Sequence, residues 1–182
     1  MRLAWQGCWN VRDLGGLGPV RAGALVRADS LQGLTEAGWQ ALWEHGVRTV
    51  IDLRNADERA PDGRPEGITT VQAIADAPDG GVAFHCMSGR DRTGQIAMVL
   101  LMMLGASVDE VVQDYSESLC NLEERYRSLG VTDEGPLVAG YLADRGLTAP
   151  GLVRELAPQV LALLRDGGLP PATEDALRRR LT

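Results

Sequence analysis

Residues 82–105, VAFHCMSGRDRTGQIAMVLLMMLG, decide the fold, because two apolar segments here flank a short run of glycine and polar residues. Val82 to Cys86 has the length and the apolar content of a buried strand. Ile96 to Leu104 is apolar on every side, which is typical of a helix buried in the middle of a protein, and Gly105 ends it. The stretch therefore predicts a buried strand that passes through a short polar loop into a helix beginning near Thr93.

The rest of the chain alternates between strand-like and helix-like patterns in its first half, and only helix-like patterns follow. This order predicts an α/β fold with a central, mostly parallel sheet flanked by helices and a helical C-terminal part. Ligands bind such sheets beyond the carboxyl ends of the strands, which is where Cys86 lies. Strands are predicted at residues 23–29, 47–53 and 68–71, and helices at 35–45, 71–77, 152–164 and 172–182.

A long helix is predicted after Gly105, because Ser107 and Glu110 form a capping box and the helical pattern continues to about Leu129. Its apolar residues recur at helical spacing, so they are expected to face the core. They are Val111, Val112, Tyr115, Leu119 and Leu122.

The composition limits the class of protein. A chain of 182 residues, 45% of them hydrophobic, can bury one good core, so residues 1–182 are predicted to form a single domain. The formal net charge of −7 argues against nucleic acid or an anionic membrane as the main partner. The sequence lacks both a run of about 18 apolar residues and a secretory signal, which predicts no stable membrane insertion and a cytoplasmic location. Three widely spaced cysteines predict neither a disulfide framework nor a zinc site.

The loop between the strand and the helix is a candidate anion site. Five residues separate Cys86 from Arg92, enough for the backbone N–H groups to converge on one tetrahedral oxyanion. Gly89 permits the tight turn, and the helix dipole favours both a bound phosphate and a Cys86 thiolate. Arg92 can bind two phosphate oxygens, and Thr93 can donate its hydroxyl to the sulfur when it leaves. The pattern therefore predicts a cysteine nucleophile in a phosphate-binding loop.

Residues 85–94 resemble the signature of the protein tyrosine phosphatase superfamily: HC, five residues, then RT or RS. NVRDLGG at 10–16, VRADS at 26–30 and IDLR at 51–54 narrow the resemblance to an atypical bacterial and fungal branch. The resemblance covers about residues 10 to 130. It implies a cysteine phosphatase-like fold and a phosphomonoester hydrolase that works through a phosphocysteine intermediate, without a metal or other cofactor.

The same resemblance implies the substrate class. Some members act on phosphotyrosine, and several also accept phosphoserine, phosphothreonine or phosphoinositides, so a phosphorylated protein or a phosphoinositide is the expected partner and dual specificity is expected. A basic residue followed by Asp inside the loop is typical of this broader group. Here the basic residue is Arg90, where the family usually has lysine, and arginine differs from lysine in hydrogen-bond geometry. The expected substrate-binding residues are Met87, Ser88, Gly89, Arg90 and Arg54.

The general acid is predicted by resemblance as well. Protonation of the leaving group is worth about 10² to 10⁴ in rate, so a carboxylic acid should lie near the scissile oxygen. No WPD sequence occurs. Similarity to this branch and to inositide phosphatases with CxxGxDR loops favours Asp91, with Asp57 and Asp52 as alternatives. Asp52 and Arg54 are expected to brace the loop through an ion pair, although Arg54 could also touch the substrate, and His85 is expected to support the loop by hydrogen bonding.

A lid segment is a further open question. Relatives commonly carry a long, partly helical lid between the strand after IDLR and the strand before HC. Here only residues 72–81 separate these two strands, and ten residues is near the minimum of about 10–12 for a crossover between parallel strands. Either the protein lacks the lid, or a segment is missing from the sequence.

Competing interpretations are weaker. Rhodaneses and arsenate reductases also place a cysteine in an anion-binding loop, but neither suits the DRTG ending or NVRDLGG. The main rival is a phosphate-recognising module that is catalytically silent. Asn10, Arg12 and Asp13 are interpreted as residues that tie the N-terminal segment to the sheet, and Cys8 and Cys120 as bystanders.

Overall fold

The computed structural model describes residues 1–55, 70–133, 135–166 and 168–182. Within these ranges one sheet is formed by the strands β1 (Arg12–Asp13), β2 (Leu25–Ala28), β3 (Val47–Asp52) and β4 (Gly81–His85). The strand order is β1-β2-β4-β3. β4 pairs in parallel with both β2 and β3, while β1 pairs antiparallel to β2 at the edge. The predicted α/β fold with a mostly parallel sheet is therefore confirmed.

Helices account for most of the remaining described residues. Two short 3₁₀ turns lie at Leu31–Gly33 and Ala157–Gln159. No helix in the described ranges is both long enough and apolar enough to cross a lipid bilayer. The helices are α1 (Glu36–Glu44), α2 (Thr70–Ala75), α3 (Asp91–Leu104), α4 (Val108–Leu129), α5 (Gly135–Ala143), α6 (Ala149–Leu156), α7 (Val160–Asp166) and α8 (Pro171–Leu181).

Each central strand packs into two cores, because side chains alternate between the faces of a sheet. Leu25 of β2 and Phe84 of β4 belong to a core that includes α3. Val26 of β2 and Ala83 of β4 belong to a second core with Leu42 of α1. β4 is therefore apolar on both faces and lies between two parallel neighbours. This arrangement surrounds its carboxyl end, where the loop begins, with the ends of β2 and β3.

The helix boundaries confirm part of the sequence interpretation. Ser107 and Glu110 form the predicted capping box at the start of α4, and the Glu110 carboxylate also accepts a hydrogen bond from Gly18 N at 2.8 Å. Gly105 ends α3 with φ of 96°. One carboxylate thus couples the N-terminal segment to α4.

α3 begins at Asp91, two residues before the predicted start near Thr93, so Asp91 and Arg92 are helical residues. Two other predicted elements are wrong in detail. Of the strand predicted at 68–71, Thr70 and Val71 instead begin α2, and residues 68 and 69 lie outside the described residues. The helix predicted at 152–164 is interrupted at Ala157–Gln159, because Pro158 cannot donate a helical hydrogen bond.

The buried face of α4 also differs from the prediction. Val111 and Leu122 are buried as expected, but Leu119 is 37% exposed. The face turned to the protein interior instead carries three polar residues at helical spacing: Asp114, Ser118 and Asn121. Their burial requires partners, and these partners lie around the loop.

Candidate active site

The loop of residues 86–90 starts where three parallel strands end side by side. His85, the last residue of β4, is in register with Ala28 of β2 and Asp52 of β3. The segments after these strands therefore meet at one edge of the sheet, as expected for the ligand-binding edge of a parallel sheet. Cys86 is the first residue beyond β4 and is only 2% exposed, whereas Met87 is 38% exposed. A reagent must reach the sulfur through the mouth of the loop.

Three consecutive carbonyl oxygens of this loop accept hydrogen bonds from outside it. None of the hydrogen bonds among the described residues is donated by the backbone N–H groups of residues 87–90. Since the C=O and N–H of a trans peptide point in opposite directions, carbonyls held outward leave N–H groups facing inward. The three bonds are Ser30 N to Met87 O (3.0 Å), Asn10 Nδ2 to Ser88 O (3.1 Å) and Arg27 Nη2 to Gly89 O (2.6 Å).

Gly89 is required both for its backbone conformation and for space. Its φ is 70°, in a region of backbone conformation that residues with a Cβ rarely adopt. A Cβ at this position would lie 2.5 Å from Ala28 O and 2.7 Å from Asp29 N. The loop is therefore packed directly onto the end of β2.

The N-terminus of α3 adds uncapped donors to the same region. Arg90 occupies the N-cap position and makes no capping hydrogen bond through its side chain. The first N–H groups of a helix carry partial positive charge and attract anions. Thr93 is fully buried, and its hydroxyl makes no hydrogen bond to any described residue. The hydrogen bond predicted from Thr93 to the departing sulfur concerns the intermediate and stays a prediction.

Asp52 and Arg54 form an ion pair beside the loop. Arg54 Nη2 lies 2.6 Å from Asp52 Oδ2, and Nε lies 2.9 Å from Oδ1. Burial alone would raise the pKa of Asp52, but the hydrogen bonds from Arg54 and the nearby His85 ring lower the pKa below its ordinary value. Arg54 Nη1 also lies 3.4 Å from the hydroxyl of Ser30, the residue that holds Met87 O. The pair therefore braces the loop from the β3 side.

Arg90 and Asp91 are paired with each other. Arg90 Nε donates to Asp91 Oδ1 at 3.0 Å, and Nη2 donates to Oδ2 at 3.3 Å. The Asp91 side chain is 58% exposed and the Arg90 side chain 12%. Although burial would lower the pKa of Arg90, the bonds and charge of Asp91 raise it above its ordinary value. Asp91 is accessible to solvent at the start of α3.

Arg92 and His85 both make contacts with the end of β3 or with the loop. Arg92 Nη1 donates to Leu53 O, just past β3, at 3.2 Å. His85 Nδ1 lies 3.2 Å from Cys86 O, and His85 Nε2 lies 3.8 Å from Asp52 Oδ1. Asp57, one of the alternative acids, lies outside the described residues. Among the described residues no group of three or more His, Cys, Asp or Glu side chains is placed to hold a metal ion.

A family model described as the tyrosine phosphatase family matches residues 3–72 and 62–143. The chain belongs to the tyrosine phosphatase family. A protein named "Tyrosine-protein phosphatase" from Nostoc commune is 32% identical, and the match covers 57% of this chain and 51% of the relative. A protein named "Putative tyrosine-protein phosphatase" from Cupriavidus necator is 25% identical, and the match covers 64% of this chain and 62% of the relative. The chain thus spans about half to three fifths of the length of these relatives.

A buried polar cluster lies behind the loop, and sequence reasoning missed its members on α4, which lie outside the family motifs. Asp114 is 4% exposed and bridges two arginines. Its Oδ1 accepts from Arg12 Nε at 3.0 Å and its Oδ2 from Arg27 Nη1. Ser118 Oγ accepts from both arginines, at 2.9 and 3.2 Å. Asn10 links the cluster to Ser88 and also accepts hydrogen bonds from Arg12 Nη1 and from Asn121 Nδ2.

The charges of this cluster stabilise one another. Burial would raise the pKa of Asp114, but Arg27 and Arg12 lower it below its ordinary value. Burial and repulsion by Arg27 lower the pKa of Arg12, and attraction by Asp114 partly offsets this decrease. The two guanidinium groups share the buried carboxylate of Asp114, and the half-exposed carboxylate of Glu117 lies 3.5 Å from Arg12 Nε. The sequence predicts that Asn10, Arg12 and Asp13 tie the N-terminal segment to the sheet, and the backbone of Arg12 and Asp13 does pair with β2. The side chains of Asn10 and Arg12 instead bond to α4 and to the loop.

The replacement Gly89→Ala tests the packing of the loop. It combines the cost of a left-handed backbone, about 1–2 kcal/mol, with a clash against Ala28 O. Gly130→Ala is the matched control, because Gly130 has φ of 66° and a Cβ there would meet nothing within 4 Å. Urea denaturation should show the larger loss of unfolding free energy for Gly89→Ala, and calorimetric titration should show weaker tungstate binding for that variant alone. Equal behaviour of the two variants would contradict the described packing.

Proposed function

We propose that this chain is a cysteine-dependent protein phosphatase that hydrolyses phosphotyrosine, and also phosphoserine, phosphothreonine or phosphoinositide monoesters, through a phosphocysteine intermediate. Residues 1–182 would act as one phosphatase domain in the cytoplasm, and the reaction would need no metal. The observation that carries the proposal is the loop after Cys86, whose carbonyls are bonded outward and whose N–H groups are unpaired among the described residues. Membership in the tyrosine phosphatase family supports it.

The loop would bind the phosphoryl group before any covalent step. The N–H groups of residues 87–90 and the uncapped start of α3 supply donors for its oxygens. Arg92 would stabilise the charge that develops on the equatorial oxygens, and Arg90 and Arg54 lie near enough in the fold to add positive charge. Cys86 is 2% exposed, so the phosphoryl group must enter the loop to meet its sulfur.

The first covalent step transfers the phosphoryl group to sulfur. The thiolate of Cys86 attacks phosphorus, the sulfur–phosphorus bond forms and the bond from phosphorus to the ester oxygen breaks. Asp91 donates its proton to the departing oxygen, so the alcohol leaves neutral. Asp91 suits this role because it is exposed and starts the helix that follows the loop.

The second step releases phosphate. Water attacks phosphorus while Asp91, now a carboxylate, takes up a proton from it. The phosphorus–sulfur bond breaks, inorganic phosphate is released and the Cys86 thiolate is regenerated. The Thr93 hydroxyl, buried and unpaired among the described residues, would donate to the departing sulfur.

Cys86→Ser should reduce turnover of p-nitrophenyl phosphate by more than about 10³-fold, since serine is a far weaker nucleophile at neutral pH. Turnover by the unmodified protein should be unchanged by EDTA. Cys120→Ser is the control, because Cys120 is exposed on α4, and it should keep full activity. If unmodified protein and Cys86→Ser hydrolyse the ester equally slowly but both bind tungstate, the chain is the silent phosphate-recognising module and the enzyme proposal fails.

Asp91→Asn should slow hydrolysis of alkyl phosphates by about 10² to 10⁴, but hydrolysis of p-nitrophenyl phosphate much less, because poor leaving groups need the proton more. Comparing kcat for the two esters across a pH series measures the difference. Asp79→Asn, in the exposed turn before β4, is the control and should leave both rates unchanged. An unaltered alkyl rate in Asp91→Asn would move the acid role to Asp57 or Asp52.

A further inference from the structure

Arg27 reaches from the sheet to the loop. It lies on β2 in register with Phe84, on the sheet face that packs against α3, and its residue is fully buried. Its guanidinium Nη2 donates to Gly89 O at 2.6 Å and to Ser118 Oγ at 3.2 Å, and Nη1 binds the Asp114 carboxylate. A charged and completely buried side chain therefore bonds to the phosphate-binding loop itself.

The bond to Gly89 O fixes the direction of one peptide group. Gly89 O and Arg90 N–H belong to the same planar peptide and point in opposite directions. With Gly89 O bonded to Arg27, Arg90 N–H must face the other way, toward the space that the loop encloses. If this peptide rotated by half a turn, a carbonyl oxygen would replace a donor there and repel a bound oxyanion.

Glycine makes such a rotation inexpensive. Gly89 must be glycine because a Cβ would collide with Ala28 O, and it holds φ of 70°. The same lack of a side chain lets Gly89 occupy several backbone conformations at similar free energy. Among the described residues, Arg27 is the one hydrogen-bond donor to Gly89 O. Because packing requires glycine at this position, a hydrogen bond from outside the loop is needed to hold the Gly89-Arg90 peptide in one orientation.

We propose that Arg27 is a positioning residue that locks the Gly89-Arg90 peptide so that Arg90 N–H faces the bound phosphoryl group. The inference rests on the proposed function, because it assumes that the loop binds a tetrahedral oxyanion. Asp114 and Ser118 of α4 hold the guanidinium in place from behind. Helix α4 thereby supports the loop through the guanidinium of Arg27.

Arg12 provides a matched comparison. It is also buried, and it also binds Asp114 and Ser118, but its remaining hydrogen bond goes to the side chain of Asn10 and not to the loop backbone. Loss of either arginine should weaken the same cluster. Only loss of Arg27 should release the Gly89-Arg90 peptide.

The experiment compares Arg27→Lys with Arg12→Lys, because lysine keeps the charge but cannot bond in several fixed directions at once. Melting temperature measures damage to the fold, and titration calorimetry with sodium tungstate measures oxyanion binding independently of turnover. Both variants should melt at lower temperature. Arg27→Lys should weaken tungstate binding by about 10- to 100-fold, and Arg12→Lys by less than about 3-fold. kcat/KM for p-nitrophenyl phosphate should fall in the same order.

Ser118→Ala is a second variant, to be used if Arg27→Lys does not fold. It loosens the guanidinium of Arg27 without removing a charge, so it should weaken tungstate binding by about 3-fold.

Equal losses of tungstate affinity in Arg27→Lys and Arg12→Lys, in proportion to the loss of melting temperature, would overturn the positioning role while leaving the proposed function intact. Failure of the unmodified protein to bind tungstate or to hydrolyse the ester would overturn the proposed function itself.

Discussion

The outward direction of three loop carbonyls is the constraint on which the site depends. Residues 87–89 are too short a segment to fix their own peptide planes, so the donors come from elsewhere: Asn10 before β1, Arg27 on β2 and Ser30 after it. Each donor is itself buried and bonded, two of them to one cluster centred on Asp114 of α4. The inward-facing N–H groups are therefore a product of the whole fold and not of the loop alone.

Buried arginines lie behind the loop of a protein whose formal net charge is negative. The chain carries a formal net charge of −7, yet the loop is backed by two arginines that share a single buried carboxylate. The uncapped start of α3 adds partial positive charge next to the loop. Because surface charges are screened within about 10 Å at moderate salt while buried ones are screened much less, the local cluster dominates at the loop. An acidic protein can in this way hold an anion.

Sequence reasoning predicted the parts of the structure that depend on local patterns. The strand to Cys86, the loop and the helix to Gly105 follow from runs of apolar residues and from glycine, and the capping box follows from Ser107 and Glu110. Pro158 could also have predicted the break between α6 and α7. The cluster could not be predicted in the same way, since Arg27 and Asp114 are far apart in sequence and meet only after the sheet and α4 have packed. The spacing of Asp114, Ser118 and Asn121 was the available signal, because three polar residues on one helix face need partners if that face is buried.

Alkylation by iodoacetamide, with and without tungstate, tests the central claim that the loop places a reactive sulfur beside an oxyanion site. Cys120 is exposed and serves as an internal control, whereas burial, followed by the charge of Asp29, raises the pKa of Cys8 and should keep it slow. Mass spectrometry should find Cys86 modified at neutral pH despite its burial, and tungstate should slow the modification of Cys86 but not that of Cys120. The account would be contradicted if Cys86 were not alkylated, or if tungstate left its rate of alkylation unchanged.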